Sequence, residues 1–119
     1  MQRRDDLYLA DIVEAAQAIR LFLTKLDRPD REDFVKNDLV RSAVLQKLTV
    51  VGEAAARVSE QTTTGHPEIP WRQARGMRNL PVHAYFSVDW DIVWTTATES
   101  VPRLETQIAR ILESPDVDQ

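Results

Sequence analysis

The chain contains no cysteine, which excludes disulfide staples, thiolate nucleophiles and zinc–thiolate sites. It has only three glycines, and none sits in a phosphate-cradling loop. Alternating β-branched runs are missing, so strands are not expected. No apolar run is long enough to span a membrane, and the opening residues MQRRDDLYLADI lack the apolar stretch of a signal peptide. A cytoplasmic protein is the expectation. Positive charge is in deficit: 15 Lys and Arg stand against 19 Asp and Glu, for a net charge of −4. That argues against a non-specific nucleic-acid binder, which relies on cations over a wide surface, but it leaves room for a local basic site. Histidine occurs twice, at His66 and His83, in neither case with a paired carboxylate of metal-site spacing, so no metal and no cofactor are expected.

What is present reads as amphipathic helix. At 119 residues, the chain is expected to form one domain over residues 1–119, long enough for a core without staples. Tyr8, Ile12, Ala16, Ile19, Leu23 and Leu26 repeat at alternating steps of four and three, which predicts a first helix from about Asp5 to Leu26. Asp5 and Asp6 suit its positive end, and Pro29 opposes its continuation. Residues 27–37 form a polar connection with a small apolar patch at Phe34 and Val35. Asn37 or Asp38 can cap a second helix running to about Ser59, with its stripe on Val40, Val44, Leu48, Val51, Ala55 and Val58. Gly52 interrupts that helix, as close approach of another helix would require; Glu53 follows it, facing inward or outward. Residues 61–70 read as a linker, with a short third helix starting at Pro70. Ser87 or Asp89 caps a fourth through WDIVWTTA, and a fifth segment around Pro102, separate or kinked, carries Val101, Leu104, Ile108 and Leu112. Short connections favour antiparallel neighbours, so an all-α antiparallel bundle of four to five helices is expected.

One stretch departs from the acidic background. WRQARGMRNLPVHAYF, residues 71–86, holds three arginines, a histidine and a tyrosine, and no carboxylate. Arg72, Arg75 and Arg78 are spaced by three and form one gently spiralling row on a helix. Such a row is more often a solvated face; what raises a functional reading is the missing acid. His83 is the side chain able to give and take protons near neutrality. On a straight helix it would stand about 140° from Arg78. Pro81 lies between them and bends a helix, which would swing the imidazole toward the arginine. Asn79, four residues before His83, has the offset to orient the ring. Taken alone, a single histidine on a short helix is more often a packed or hydrogen-bonded residue than a catalytic one.

Written as R-N-x3-H-x-Y, Arg78, Asn79, His83 and Tyr85 resemble the signature of the HEPN superfamily, and most closely its HepT-like branch of small bacterial and archaeal toxins. The likeness extends to AVLQKLTVVGEAAARVS (43–59), HPEIPWRQARGMRN (66–79), HAYFSVDWDIVW (83–94) and the placement of Pro102 and Leu104. The resemblance implies a HEPN-like helical bundle that forms a two-fold homodimer, with Arg78 and His83 of both copies meeting in one cleft. It implies a metal-independent endoribonuclease acting on RNA, the toxin partner of a minimal nucleotidyltransferase antitoxin. Tyr85 corresponds to the residue that such antitoxins modify with AMP. Arg72 and Arg75 would then track the RNA backbone, with Asn79 in support. Glu53 matches an acidic position in the family's second helix and is carried as a partner for Arg78. Pro81 is a departure, since the family usually has an aliphatic residue there. Two other readings stay open: a non-catalytic helical subunit that docks a nucleotidyltransferase or a nucleotide, and a purely structural one. In the latter, Tyr85 and Trp94 are interface aromatics and His83 is a buried, hydrogen-bonded residue.

Overall fold

The computed structural model describes residue 2, residues 4–80 and residues 88–113. Every regular element among them is helical. In chain order these are α1 (Asp5–Leu23), α2 (Arg31–Lys36), α3 (Asp38–Arg57), α4 (Glu60–Gly65), α5 (Trp71–Gly76), a 3-10 turn (Met77–Asn79), α6 (Trp90–Thr95), a π turn (Thr96–Ser100) and α7 (Val101–Glu113). No helix among the described residues is long and apolar enough to cross a membrane.

The core is built on the two long helices. α1 buries Leu9, Ile12, Ala15, Ala16 and Ile19, and α3 buries Val40, Val44, Leu48, Val51 and Ala55, all in one cluster. Each large aliphatic taken out of water contributes about 1.5–3 kcal/mol. α7 packs on α1, and α5 with the 3-10 turn packs on α3. Asn37 is the cap of α3, its side chain accepting from the Val40 N–H at 2.9 Å. α1 stops three residues short of the expected Leu26, yet Leu26 remains buried beyond its end.

Two segments expected to be irregular are helical. Within the polar connection, Asp30 accepts from the Asp33 N–H and starts α2, which delivers Phe34 to the core as one of its largest fully buried side chains. Phe34 meets Trp94 at 5.3 Å and Trp90, edge-on, at 6.4 Å between ring centroids, while Arg41 lies 4.4 Å over the Trp90 ring. α3 ends at Arg57, and Ser59, at the expected end of the second helix, instead caps α4, which runs into the expected linker, by accepting from the Thr62 N–H. The same hydroxyl donates to Asp5 at 2.6 Å. Asp5 is 2% exposed and also accepts from the Ser59 N–H (2.9 Å), the Thr62 hydroxyl (2.6 Å) and the Gln2 N–H (3.3 Å). Burial pushes its carboxyl up, but the hydrogen bonds from Ser59, Thr62 and Gln2 outweigh that and hold it below the usual carboxylate range. Asp5 therefore ties the start of α4 to the start of α1, a larger role than complementing a helix dipole.

The last two expected segments are one uninterrupted helical run from Trp90 to Glu113, joined through a π turn rather than separate. Asp89, not Ser87, makes the observed cap, accepting from the Asp91 and Ile92 N–H groups. The π turn has a physical cause. Pro102 has no N–H, and its ring crowds the carbonyl four residues back, at Thr98. The chain widens just before it, so that the Val101 N–H donates to the Thr96 carbonyl, five residues back. Val93, Ala97 and Val101, spaced by four and four, are all nearly inaccessible. In a regular α-helix eight residues overrun two turns by roughly 80°, which would swing Val101 off the face that holds Val93. The wider turn cancels that drift.

Candidate functional site

The acid-free stretch leaves the core as α5 and the 3-10 turn. Trp71, Ala74 and Met77 point inward at 6%, 1% and 3% exposure. The Trp71 indole N–H donates to the His66 carbonyl at 2.9 Å, which fixes the entry to α5 from the preceding loop. Pro70 stands at the N-cap, where its missing N–H costs nothing. With the inner face so anchored, Arg72, Arg78 and Asn79 are exposed and Arg75 is half-buried.

The switch from α to 3-10 geometry acts on the row of arginines. Gly76 and Met77 have ψ of −18° and −23°, which is 3-10 torsion, with close to three residues per turn. Arg78 is thereby brought more nearly into line with Arg75 than a continued α-helix would place it. The turn also lies hard against α3: a Cβ at Gly52 would be 2.1 Å from the Arg78 nitrogen. The expected close approach at Gly52 is thus real, and its partner is the 3-10 turn bearing Arg78.

Among the described residues, no carboxylate makes an ion pair with Arg72, Arg75 or Arg78. Elsewhere, cations with an acid in reach use it: Arg20 pairs with Glu105, Arg31 with Asp91 at 2.8 Å, and Lys36 with Glu32 at 2.9 Å. Lone cations with no ion pair among the described residues, such as Arg57, also occur, but three within seven residues, with no acid on the same stretch, do not recur in the sequence. Glu53, next to Gly52 on α3, is exposed and makes no ion pair with Arg78 in the single chain. His66 Nδ1 lies 3.6 Å from a Glu68 carboxylate oxygen, a surface pair. Among the described residues, no three of His, Asp and Glu are grouped so as to hold a metal ion. Pro81, His83, Tyr85 and Ser87 lie outside the described residues.

What the arrangement offers is a row of arginines opposite a buried face, Arg72 and Arg78 exposed and Arg75 half-buried, of the residue type suited to bidentate contact with phosphate oxygens. The family model described as "Ribonuclease HepT-like" matches residues 12–111. A Thermococcus cleftensis protein named "Probable ribonuclease HepT" is 35% identical over 111 residues, covering 93% of this chain and 98% of that one. A Methanocaldococcus jannaschii protein named as a putative RNase is 30% identical over 109 residues, covering 91% of this chain and 97% of its own length. A Caldanaerobacter subterraneus protein, also named as a putative RNase, is 35% identical over 82 residues, 69% of this chain and 73% of that one. No solved structure matches at comparable significance. On the family match and on these relatives, the chain belongs to the HepT-like ribonuclease family.

Proposed function

We propose that this chain is a metal-independent endoribonuclease that acts as the toxin of a toxin–antitoxin pair. The observation that carries the reading is the triplet Arg72, Arg75 and Arg78, left without an acid among the described residues on a stretch anchored by Trp71, Ala74 and Met77. Cutting RNA without a metal requires a base for the 2′-OH proton, an acid for the departing 5′-oxygen, and positive charge where the phosphorane gathers negative charge. His83 supplies the proton work and Arg78 the charge. Two copies related by a two-fold axis bring two of each to one phosphate, so that one imidazole serves as base and the other as acid. Arg72 and Arg75 track the strand, and Asn79 supports the imidazole. A nucleotidyltransferase antitoxin silences the enzyme by transferring AMP from ATP to the Tyr85 hydroxyl, the new O–P bond forming as pyrophosphate leaves. The added phosphodiester and base neutralise Arg78 and block the cleft, by the same charge logic as phosphorylation.

The test is purified protein on RNA in EDTA. Cleavage leaving cyclic phosphate ends is expected, with loss in Arg78→Ala and in His83→Ala; undiminished cleavage in His83→Ala removes that residue from the mechanism. Mass spectrometry after co-expression with the neighbouring gene product reads the modification. Unmodified Tyr85 in cells where toxicity is suppressed rejects AMP transfer as the antidote.

Pro81, between Asn79 and His83, favours a second reading. If the ring prevents the imidazole from meeting Arg78, the chain becomes a non-catalytic subunit that docks a nucleotidyltransferase or a nucleotide through its arginines. A stable co-purifying complex, with no growth defect when the chain is expressed alone, is the outcome that selects it.

A further inference from the structure

We propose that Gly52 is a positioning residue for Arg78: by presenting bare backbone on α3, it sets the point from which the guanidinium reaches out. The catalytic consequence rests on the ribonuclease reading above; the geometric claim does not. A Cβ on Gly52 would fall 2.1 Å from the Arg78 nitrogen, 2.6 Å from its Cβ and 2.8 Å from its Cα. All three belong to the backbone or its first carbon, so no rotamer change can relieve the overlap. The turn itself would have to withdraw by roughly 1.3 Å or more before its nitrogen, the nearest of the three, reached ordinary contact distance. It cannot do so quietly, because Met77 and Ala74, on the same segment, are buried. Gly65 and Gly76, by contrast, would meet nothing within 4 Å.

A side chain that is itself exposed has no packing to hold it, so its placement is inherited from its backbone. Arg78 is such a residue. A withdrawal of the turn is passed on to the guanidinium, and a misplacement of about 1 Å can cost about a hundredfold in rate.

The experiment compares Gly52→Ala with the control Gly65→Ala. Amide resonances of Met77, Arg78 and Asn79 in 1H–15N spectra are read first, with those of Leu9 and Ile12 as reporters of an intact core. Gly52→Ala is expected to move the first three and spare the last two, and Gly65→Ala to move none of the five. Unmoved Arg78 resonances in a folded Gly52→Ala protein overturn the assignment, whatever the RNA assay gives. In cleavage assays, kcat should fall about tenfold to a hundredfold with KM little changed. In an Arg78→Lys background the same substitution should cost much less than it does alone; losses that simply multiply indicate a general loss of folded protein and overturn the inference. If Gly52→Ala does not fold, Met77→Ala loosens the same turn, and full kcat in that variant overturns the proposal. Absence of cleavage by the unaltered protein sinks the ribonuclease reading, and the resonance shifts still decide the geometry.

Discussion

Asp5 and Arg78 show two opposite treatments of a charge within one small fold. Asp5 is 2% exposed and accepts four hydrogen bonds drawn from Gln2, Ser59 and Thr62, so that its charge is spent inside the molecule, joining α1 to α4. Arg78 has its backbone packed against Gly52 and its side chain in solvent, with no described carboxylate paired to it. A buried charge without partners would be costly, which is why Asp5 is so fully surrounded. An exposed cation without partners costs little in stability, so the fold gives no reason for Arg72 and Arg78. The difference separates what holds the chain together from what it presents to a ligand.

The contrast can be broken most decisively at Arg78. Arg78→Ala should lower kcat for RNA cleavage by about 10²–10³-fold. Its thermal midpoint should stay close to that of the unaltered protein, since surface substitutions usually change stability by less than about 0.5 kcal/mol. The mirror experiment is Asp5→Ala, with an expected loss of about 3 kcal/mol in denaturant unfolding as the Ser59 and Thr62 donors lose their acceptor, and no change in kcat per folded molecule. A catalytic defect in Asp5→Ala, or a large stability loss in Arg78→Ala, would erase the distinction.

Acid titration sharpens it. The folded-state carboxyl of Asp5 lies below its unfolded value of about 3.9, because the hydrogen bonds overcome the effect of burial. Its contribution is therefore complete above that value and is lost as pH falls through the depressed one. Unfolding curves from about pH 5 down to about pH 2 should show a slope that Asp5→Asn removes and Arg78→Ala keeps. The smallest effect belongs to Arg72. Its replacement by alanine should weaken single-stranded RNA binding evenly across sequences and reduce the slope of log K against log salt by about 0.7.

Much of the bundle was readable from periodicity. The stripes of α1 and α3 and the Asn37 cap each depend on residues near one another in sequence, and a glycine inside a helical stripe announces a close approach without naming its partner. What escaped depends on partners far apart. Asp30 looks like an ordinary loop residue and Ser59 like the end of the second helix until Phe34 and Asp5 give the short helices they start something to dock against. Asp5 next to Asp6 reads as dipole compensation, because Ser59 and Thr62, 54 and 57 residues away, are invisible to a local pattern. In the site, the spacing of the three arginines was legible, and so was the absence of acid. That Arg78 lies on a 3-10 turn seated on Gly52 was not, since three residues of helix carry no periodic signal.

The π turn before Pro102 gives the chain an unusual tolerance. Because that loop of backbone carries one residue beyond what an α-helix needs, removing Glu99 would leave Val93 and Val101 seven positions apart, within roughly 20° of the same azimuth. Shortening a helix by one residue ordinarily rolls everything downstream out of register. Here Leu104 and Ile108 would keep their azimuth, and the cost would be the clash between the proline ring and the carbonyl four residues before it.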